Sequence, residues 1–243
     1  MGNSVRFGVR QVFFDFIEIK YIMLLYLLGM FGIAAFAITG VISSGKKDMD
    51  LFSVVFLGMV TSLGGGTIRD TVLSVETVYW VADTSYLWVA FASSVFAFFG
   101  VRFMNDRQKV FHYADSFGLA LFTVVATEKV LDLGFAAPIA ITMGIITGVA
   151  GGIIRDVLSH RPPLVLGREF YATPAFLGAF LFVLLHKNIP SHEFNSIYAV
   201  LLIFILRVFA IHKDLYYPSW LLYKKEIDHD PRKDDQNSTN TKY

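Results

Sequence analysis

The sequence predicts an all-α integral membrane protein with seven transmembrane helices, arranged as an inverted three-plus-three repeat plus a seventh helix. Three observations predict it. Of 243 residues, 55% are hydrophobic and only 17% charged, with mean hydropathy +0.55, whereas a soluble domain carries roughly 25% charged residues. The apolar residues gather into long runs, and runs of about 18 or more read as membrane spans. A glycine-rich motif also occurs twice, at a fixed offset of 86 residues. This composition excludes a soluble enzyme, a nucleic-acid binder and a disordered scaffold.

Taken in order, residues 1–20 mix apolar and basic side chains and suit an interfacial segment or an extension of the first helix. Arg6, Arg10, Asp15, Glu18 and Lys20 interrupt the apolar run, and no small-residue cleavage pattern follows, so a cleavable signal is not expected. The first span must insert the protein. Position 6 holds no Ser or Thr, which removes a myristoylation reading. Seven runs then read as spans, at about 21–43, 51–68, 86–101, 114–128, 135–154, 172–186 and 195–212. The third, fourth and sixth fall short of the ~20 residues a straight span needs, so their ends are expected to recruit flanking polar residues. Helices 1–3 form a first repeat unit over 21–105, helices 4–6 a second over 106–190, and helix 7 occupies 191–215. The remainder, 216–243, ends in KKEIDHDPRKDDQNSTNTKY with almost nothing to bury, and is expected to be a disordered tail. Its Asn237-Ser238-Thr239 matches a glycosylation acceptor, a three-residue pattern common by chance.

Basic residues set the orientation. One face receives Lys46, Lys47, Arg102, Arg107, Lys109, Arg161, Arg168, Lys213, Lys224 and Lys225; the other receives Arg6, Arg10, Lys20, Arg69, Lys129 and Lys187. The more basic face should be cytoplasmic, giving an external N-terminus and a cytoplasmic C-terminus. A net charge of +1 points to no nucleic-acid or acidic partner, and the absence of cysteine removes disulfides, thiolate metal sites and cysteine nucleophiles. The six histidines, His112, His160, His186, His192, His212 and His229, show no metal-ligand spacing and read as solvated groups in loops or at helix ends. No metal site and no cofactor are expected.

The repeat carries the functional signal. GMVTSLGGGTIRDTVL at 58–73 aligns without gaps on GIITGVAGGIIRDVLS at 144–159, with identity at Gly58/Gly144, Thr61/Thr147, Gly65/Gly151, Gly66/Gly152, Ile68/Ile154, Arg69/Arg155 and Asp70/Asp156. The same offset pairs Gly32 with Gly118 and Phe36 with Phe122. Because each unit holds three spans, the second starts on the opposite side of the bilayer, and inverted repeats with glycine-interrupted helices point to a transport path at the repeat interface. The plainer reading is a duplication kept for packing.

Glycine costs about 1 kcal/mol relative to alanine in a helix interior. Gly64, Gly65, Gly66, Gly151 and Gly152 are therefore expected to unwind or kink spans 2 and 5, freeing carbonyl oxygens that a water-filled path would satisfy. Close helix packing through small residues is the alternative, and it is preferred for Gly29, Gly32 and Gly178. Arg69, Asp70, Arg155 and Asp156 follow the glycines. An isolated charge at depth costs at least ~2.5–3.5 kcal/mol, so each should find a partner. Neighbours on a helix point about 100° apart, so the carboxylates are expected to pair with a distant base or a backbone amide rather than with the adjacent arginine. Ser43, Ser44, Thr61, Ser62, Thr127 and Thr147 either bond back to a carbonyl one turn earlier or replace part of an ion's hydration shell. Glu128 and Lys129 read as interfacial anchors, and a lysine inside the field feels ~2.3 kcal/mol per 100 mV.

GGGTIRD and GGIIRD, followed by RPPLVLGREFYATPAFLGA from Arg161 to Ala179, resemble the trimeric intracellular cation channels, specifically their prokaryotic branch, over about residues 22–212. The resemblance implies a homotrimer in membrane lipid with one hydrophilic pore per subunit, walled by helices 2 and 5 and kinked at Gly64, Gly65, Gly66, Gly151 and Gly152. It implies passive monovalent-cation permeation, chiefly of K+, with K+ or Na+ as the transported ion. Ala150 stands where the first repeat has Gly64, so the second kink should be shallower. Basic residues on the fourth helix are linked to voltage response in animal members, a part Lys129 could take. Prokaryotic relatives also carry a glycine-transporter label, which keeps open a secondary carrier for a small amino acid. An intramembrane enzyme finds no support: no paired aspartates on facing helices, HExxH or nucleophile motif is present. A bacterial inner membrane is the expected location.

Overall fold

The computed structural model describes residues 2–45, 49–189 and 194–218, with side chains from residue 20 onward. The side chains of Arg6 and Arg10, the lysines Lys46 and Lys47, His192, and the tail from residue 219 with His229 and Asn237 lie outside the described residues.

Eight helices carry the described chain: α1 (Gly2–Ser44), α2 (Leu51–Val72), α3 (Tyr79–Ala82), α4 (Ser85–Gly100), α5 (Arg107–Asp132), α6 (Ala137–Leu158), α7 (Ala172–Asn188) and α8 (Asn195–His212). Among them, six stretches are long and apolar enough to cross a membrane: Lys20–Ser44 of α1, α2, α4 with its 3-10 extension to Phe103, α5, α6 and α8. α7 has 17 residues, below the ~20 of a straight span. The segment before residue 20 continues α1 as one helix. The four-residue α3 has no counterpart among the sequence expectations.

α2 and α6 are built alike. Each has 22 residues, and their bounds differ by the repeat offset. Each ends in the same hydrogen-bonded turn. Leu73 N donates to Arg69 O and Val75 N to Asp70 O; Ser159 N donates to Arg155 O and Arg161 N to Asp156 O. The residues inside those turns, Ser74 (φ 53°) and His160 (φ 54°), take the left-handed conformation that closes a helix C-terminus. At the other end, the Asp50 carboxylate caps α2 by accepting from Ser53 N at 2.7 Å, and Asp106 caps α5 by accepting from Lys109 N at 3.0 Å. Pro138 starts α6, where a missing N–H costs nothing.

The two central pairs cross antiparallel and touch reciprocally. A Cβ added to Gly65 would collide with the Thr147 carbonyl oxygen, and one added to Gly151 would collide with that of Thr61. On α1 and α5, Gly32 lies against Leu121 and Phe122 while Gly118 lies against Phe36, and the Phe36 and Phe122 rings stack at 5.2 Å. α5 runs well beyond the expected 114–128, its start capped by Asp106 and its last turns carrying Lys129, which pairs with Asp70. α7 and α8 form a hairpin against α5, with Phe182, Ala199 and Ile203 packed on Ala120 and Val124. Gly178 admits Ile203 at that contact.

The expected unwinding at the glycines does not occur: α2 and α6 stay α-helical throughout. An unwound segment at membrane depth would leave several backbone groups unsatisfied. The glycines instead permit the two backbones to meet, and that contact offsets their helix cost.

Candidate functional site

The repeat places one charged cluster at each end of the helical core. Both clusters touch α5, one at Asp115 and the other at Lys129, a separation of about 20 Å along a helix rising 1.5 Å per residue.

At the end where α2 finishes, Asp70 is fully buried and gathers every nearby donor. Its Oδ1 accepts from Arg69 Nε at 2.7 Å and from Lys129 Nζ at 3.0 Å, and its Oδ2 accepts from Tyr79 N at 2.9 Å. α3 exists to make that last bond: it turns Tyr79 back over the helix end, its ring 5.6 Å from the Arg69 guanidinium and 6.0 Å from Lys129 Nζ. Both cations face the ring's negative surface. Burial pushes the Tyr79 hydroxyl above its ordinary pKa, so the ring stays neutral. Trp80 Nε1 donates to Thr67 Oγ1 at 2.9 Å and holds α3 against α2.

At the end where α6 finishes, Arg155 is fully buried and donates from Nε to Asp156 Oδ1 at 2.9 Å, and from Nη1 to Asp115 Oδ1 at 2.6 Å and Thr39 Oγ1 at 3.0 Å. Its guanidinium lies 4.5 Å from the Phe111 ring centroid. Asp156 Oδ2 accepts from Leu164 N at 3.1 Å, as Asp70 Oδ2 accepts from Tyr79 N. Ser43, Phe111, His112, Asp156, Ser159 and Arg161 line a cavity of about 520 Å³ at this end.

These geometries amend the sequence reading. Both arginines do pair with the adjacent aspartate: the guanidinium is long enough to fold back across the 100° between neighbours, and the low dielectric strengthens the bond. Asp70 also takes the distant base and the backbone amide that were expected. Lys129 is an ion-pair partner of Asp70. Glu128 is no interfacial anchor; it is buried, accepting from the Tyr21 hydroxyl and from Ser196 Oγ at 3.0 Å, because α1 and the start of α8 close over it. Ser43, Ser44, Thr61, Ser62, Thr127 and Thr147 all bond back to carbonyls on their own helices. His112 is not simply solvated, since its Nδ1 is buried within α5.

The two clusters differ in sign. Arg69, Asp70 and Lys129 leave one positive charge; Arg155, Asp156 and Asp115 leave one negative. The repeat offset explains the difference: Ser43 occupies the position of Lys129, and Gly29 that of Asp115. Sequence reasoning passes over Asp115 and Arg207. Arg207 is buried in α8, donating from Nη1 to Phe170 O at 2.9 Å, 4.6 Å from the Tyr171 ring centroid and 3.4 Å from Glu169. A lone arginine in an apolar run is itself a signal, because such residues face the bundle interior.

Comparison with known proteins places these features in a family. A family model described as "Glycine transporter" matches twice, over residues 26–102 and 112–187, once in each half of the chain. A "UPF0126 membrane protein" of Vibrio cholerae is 40% identical over 210 residues, covering 83% of this chain and 84% of its own. The "UPF0126 inner membrane protein YadS" of Escherichia coli K12 is 38% identical over 203 residues, 82% of this chain and 98% of its own. Among solved structures, the TRIC trimeric intracellular cation channel orthologue from Rhodobacter sphaeroides superposes with a TM-score of 0.76 at 37% identity, covering 79% of this chain and 99% of that one. A prokaryotic TRIC channel in 0.5 M KCl gives 0.74 at 31% identity, covering 79% and 98%.

Proposed function

Because the chain belongs to the trimeric intracellular cation channel family, we propose that it is a monovalent-cation channel, permeable to K+ and, less strongly, Na+. The observation that carries this reading is the pairing of a reciprocal α2–α6 crossing at Gly65 and Gly151 with a buried charged cluster at each end of it. Antiparallel crossings with reciprocal contacts are what a two-fold axis in the membrane plane produces. We read the chain as an inverted repeat, α1, α2 and α4 against α5, α6 and α7, with α8 as the seventh span.

The path runs alongside the α2–α6 contact within each subunit of a homotrimer in the bacterial inner membrane. Gly64, Gly65, Gly66, Gly151 and Gly152 shape it by setting how α2 and α6 approach as continuous helices. The N-terminus lies outside and the C-terminus in the cytoplasm, which puts the negative Arg155 cluster on the cytoplasmic side and the positive Arg69 cluster on the external side. A cation is favoured at the first and opposed at the second. The ion pair of Lys129 with Asp70 thus restrains a basic side chain at the external end, where a change of membrane potential acts on it.

The arginines serve structure, since each is tied to a buried carboxylate, Arg69 to Asp70 and Arg155 to Asp156 and Asp115. Proteoliposomes loaded with a potassium-sensitive dye test the function: K+ entry down its gradient supports a channel. Uptake of labelled glycine driven by an ion gradient, with no passive K+ flux, would replace it with a carrier.

A further inference from the structure

We infer that Glu128 is a proton-binding site, its carboxyl holding one exchangeable proton in a hydrogen-bonded ring with the Tyr21 hydroxyl of α1 and the Ser196 hydroxyl of α8. The site lies at the Arg69 end of the bundle, one residue before Lys129.

Three contacts close the ring. Glu128 Oε1 meets the Tyr21 hydroxyl, Oε2 lies 3.0 Å from Ser196 Oγ, and the two hydroxyl oxygens lie 3.2 Å apart. Each hydroxyl brings one proton, and an ionised carboxylate brings none. Two protons cannot fill three hydrogen bonds. When both hydroxyls donate to the carboxylate, their own contact puts two oxygens together with no proton between them. A protonated acid supplies the third: Oε2 donates to Ser196 Oγ, Ser196 Oγ donates to the Tyr21 oxygen, and Tyr21 donates to Oε1. Every contact then holds one proton.

Burial and charge agree with that count. Glu128 is 1% exposed and Ser196 is fully buried, and a charged carboxylate inside a bundle needs a base beside it. The neighbouring elements bring none into contact. Lys129 turns to Asp70 of α2, where Arg69 is also bound. On α1, Lys20 is exposed; on α7, His186 packs on the Phe182 ring and Lys187 is exposed. Asn195, beside Ser196 on α8, donates to the Ile189 carbonyl. α6 faces this part of α5 with Ala140, Met143 and Gly144, all uncharged. Asp132, one turn further along α5, is another acid. The proton also sets the charge of this end: Arg69, Asp70 and Lys129 leave one positive charge, and loss of the Glu128 proton cancels it.

Infrared spectra of the full chain in lipid nanodiscs, titrated from acid to alkali, test the site. The wild type should show the C=O stretch of a hydrogen-bonded carboxylic acid, which Ser196→Ala shifts and alkali removes. Glu128→Gln should lack that band. Its amide donates to Ser196 and accepts from Tyr21 as the protonated acid does, so it should match the wild-type melting temperature in acid. Once pH passes the ordinary glutamate value of about 4.3, the unfolded chain ionises while the ring keeps its proton. The wild type should then lose stability relative to Glu128→Gln, by up to about tenfold in the unfolding equilibrium per pH unit. A wild type with no such band at any pH would overturn the site, as would melting profiles of the two proteins that run parallel. If Glu128→Gln does not fold, the band and its Ser196→Ala shift decide alone. One further arm rests on the cation-channel reading: K+ current should rise as the Arg69 side is made alkaline, and Glu128→Gln should hold it at its acid value. Current indifferent to pH with the band present would overturn the link between proton and ion. A silent bilayer with the band present would leave the site standing and sink the channel reading.

Discussion

Gly65 and Gly151 meet at the crossing of α2 and α6, each pressed against a carbonyl on the opposite helix, four residues before the other's glycine. The contact is backbone on backbone, so neither position can yield. Gly65→Ala and Gly151→Ala should each destabilise the protein by about 1–3 kcal/mol, the usual range for overpacking. Gly64 is different. A Cβ there meets only the flexible tip of Ile154, at 2.6 Å, and its repeat counterpart is already Ala150. Gly64→Ala should keep a wild-type melting temperature. Thermal melts of the three variants decide the matter, and a Gly65→Ala protein as stable as wild type would show that the helices do not cross this closely.

Asp70 serves two bases at once. Asp70→Asn should cost about 3–5 kcal/mol, because it leaves Arg69 and Lys129 facing each other in a buried site. Lys129 is 31% exposed, so Lys129→Met should cost less than Asp70→Asn. The double variant should then be more stable than the sum of the singles, with a coupling of about 0.5–3 kcal/mol. Additive losses would mean that the Lys129–Asp70 bond contributes nothing.

The helix caps give a pH dependence. The Ser53 amide lowers the pKa of Asp50, and the Lys109 amide lowers that of Asp106. A carboxylate whose folded pKa is depressed contributes its stability above the unfolded value and loses it as pH falls through the folded one. Acidification below the ordinary carboxylate range should therefore weaken the starts of α2 and α5. Asp50→Asn and Asp106→Asn should flatten the acid limb of a melting-temperature profile while changing it little at neutral pH. An unaltered acid limb would remove the caps from the account.

Orientation is open to direct measurement. A phosphatase or fluorescent reporter fused after Tyr217 should report the cytoplasm, as the basic residues imply. An external signal would reverse the assignment of the two charged ends and leave the repeat intact.

Much of this was legible before any coordinates. Apolar runs mark spans because lipid tolerates little else, and seven identities at one offset expose the duplication that the matching ends of α2 and α6 display. Arg69, Asp70, Arg155 and Asp156 were visible because the motif repeats them. Their partners were not. Asp115 lies 40 residues from Arg155, and Thr39 lies 116 away, so no local spacing links them. α3 is four residues long and carries no periodic signal. The glycines were read as helix breakers beside a water-filled path, with close packing as the alternative, because the opposing backbone that repays their cost is present only once both helices are folded.

The most direct test of a cation path inside each subunit is single-channel recording of the purified protein in a planar bilayer under a KCl gradient. Discrete unitary steps, in up to three equal levels for a homotrimer, with a reversal potential near that for K+, are the predicted result. A silent bilayer, or currents reversing near the chloride potential, would contradict it.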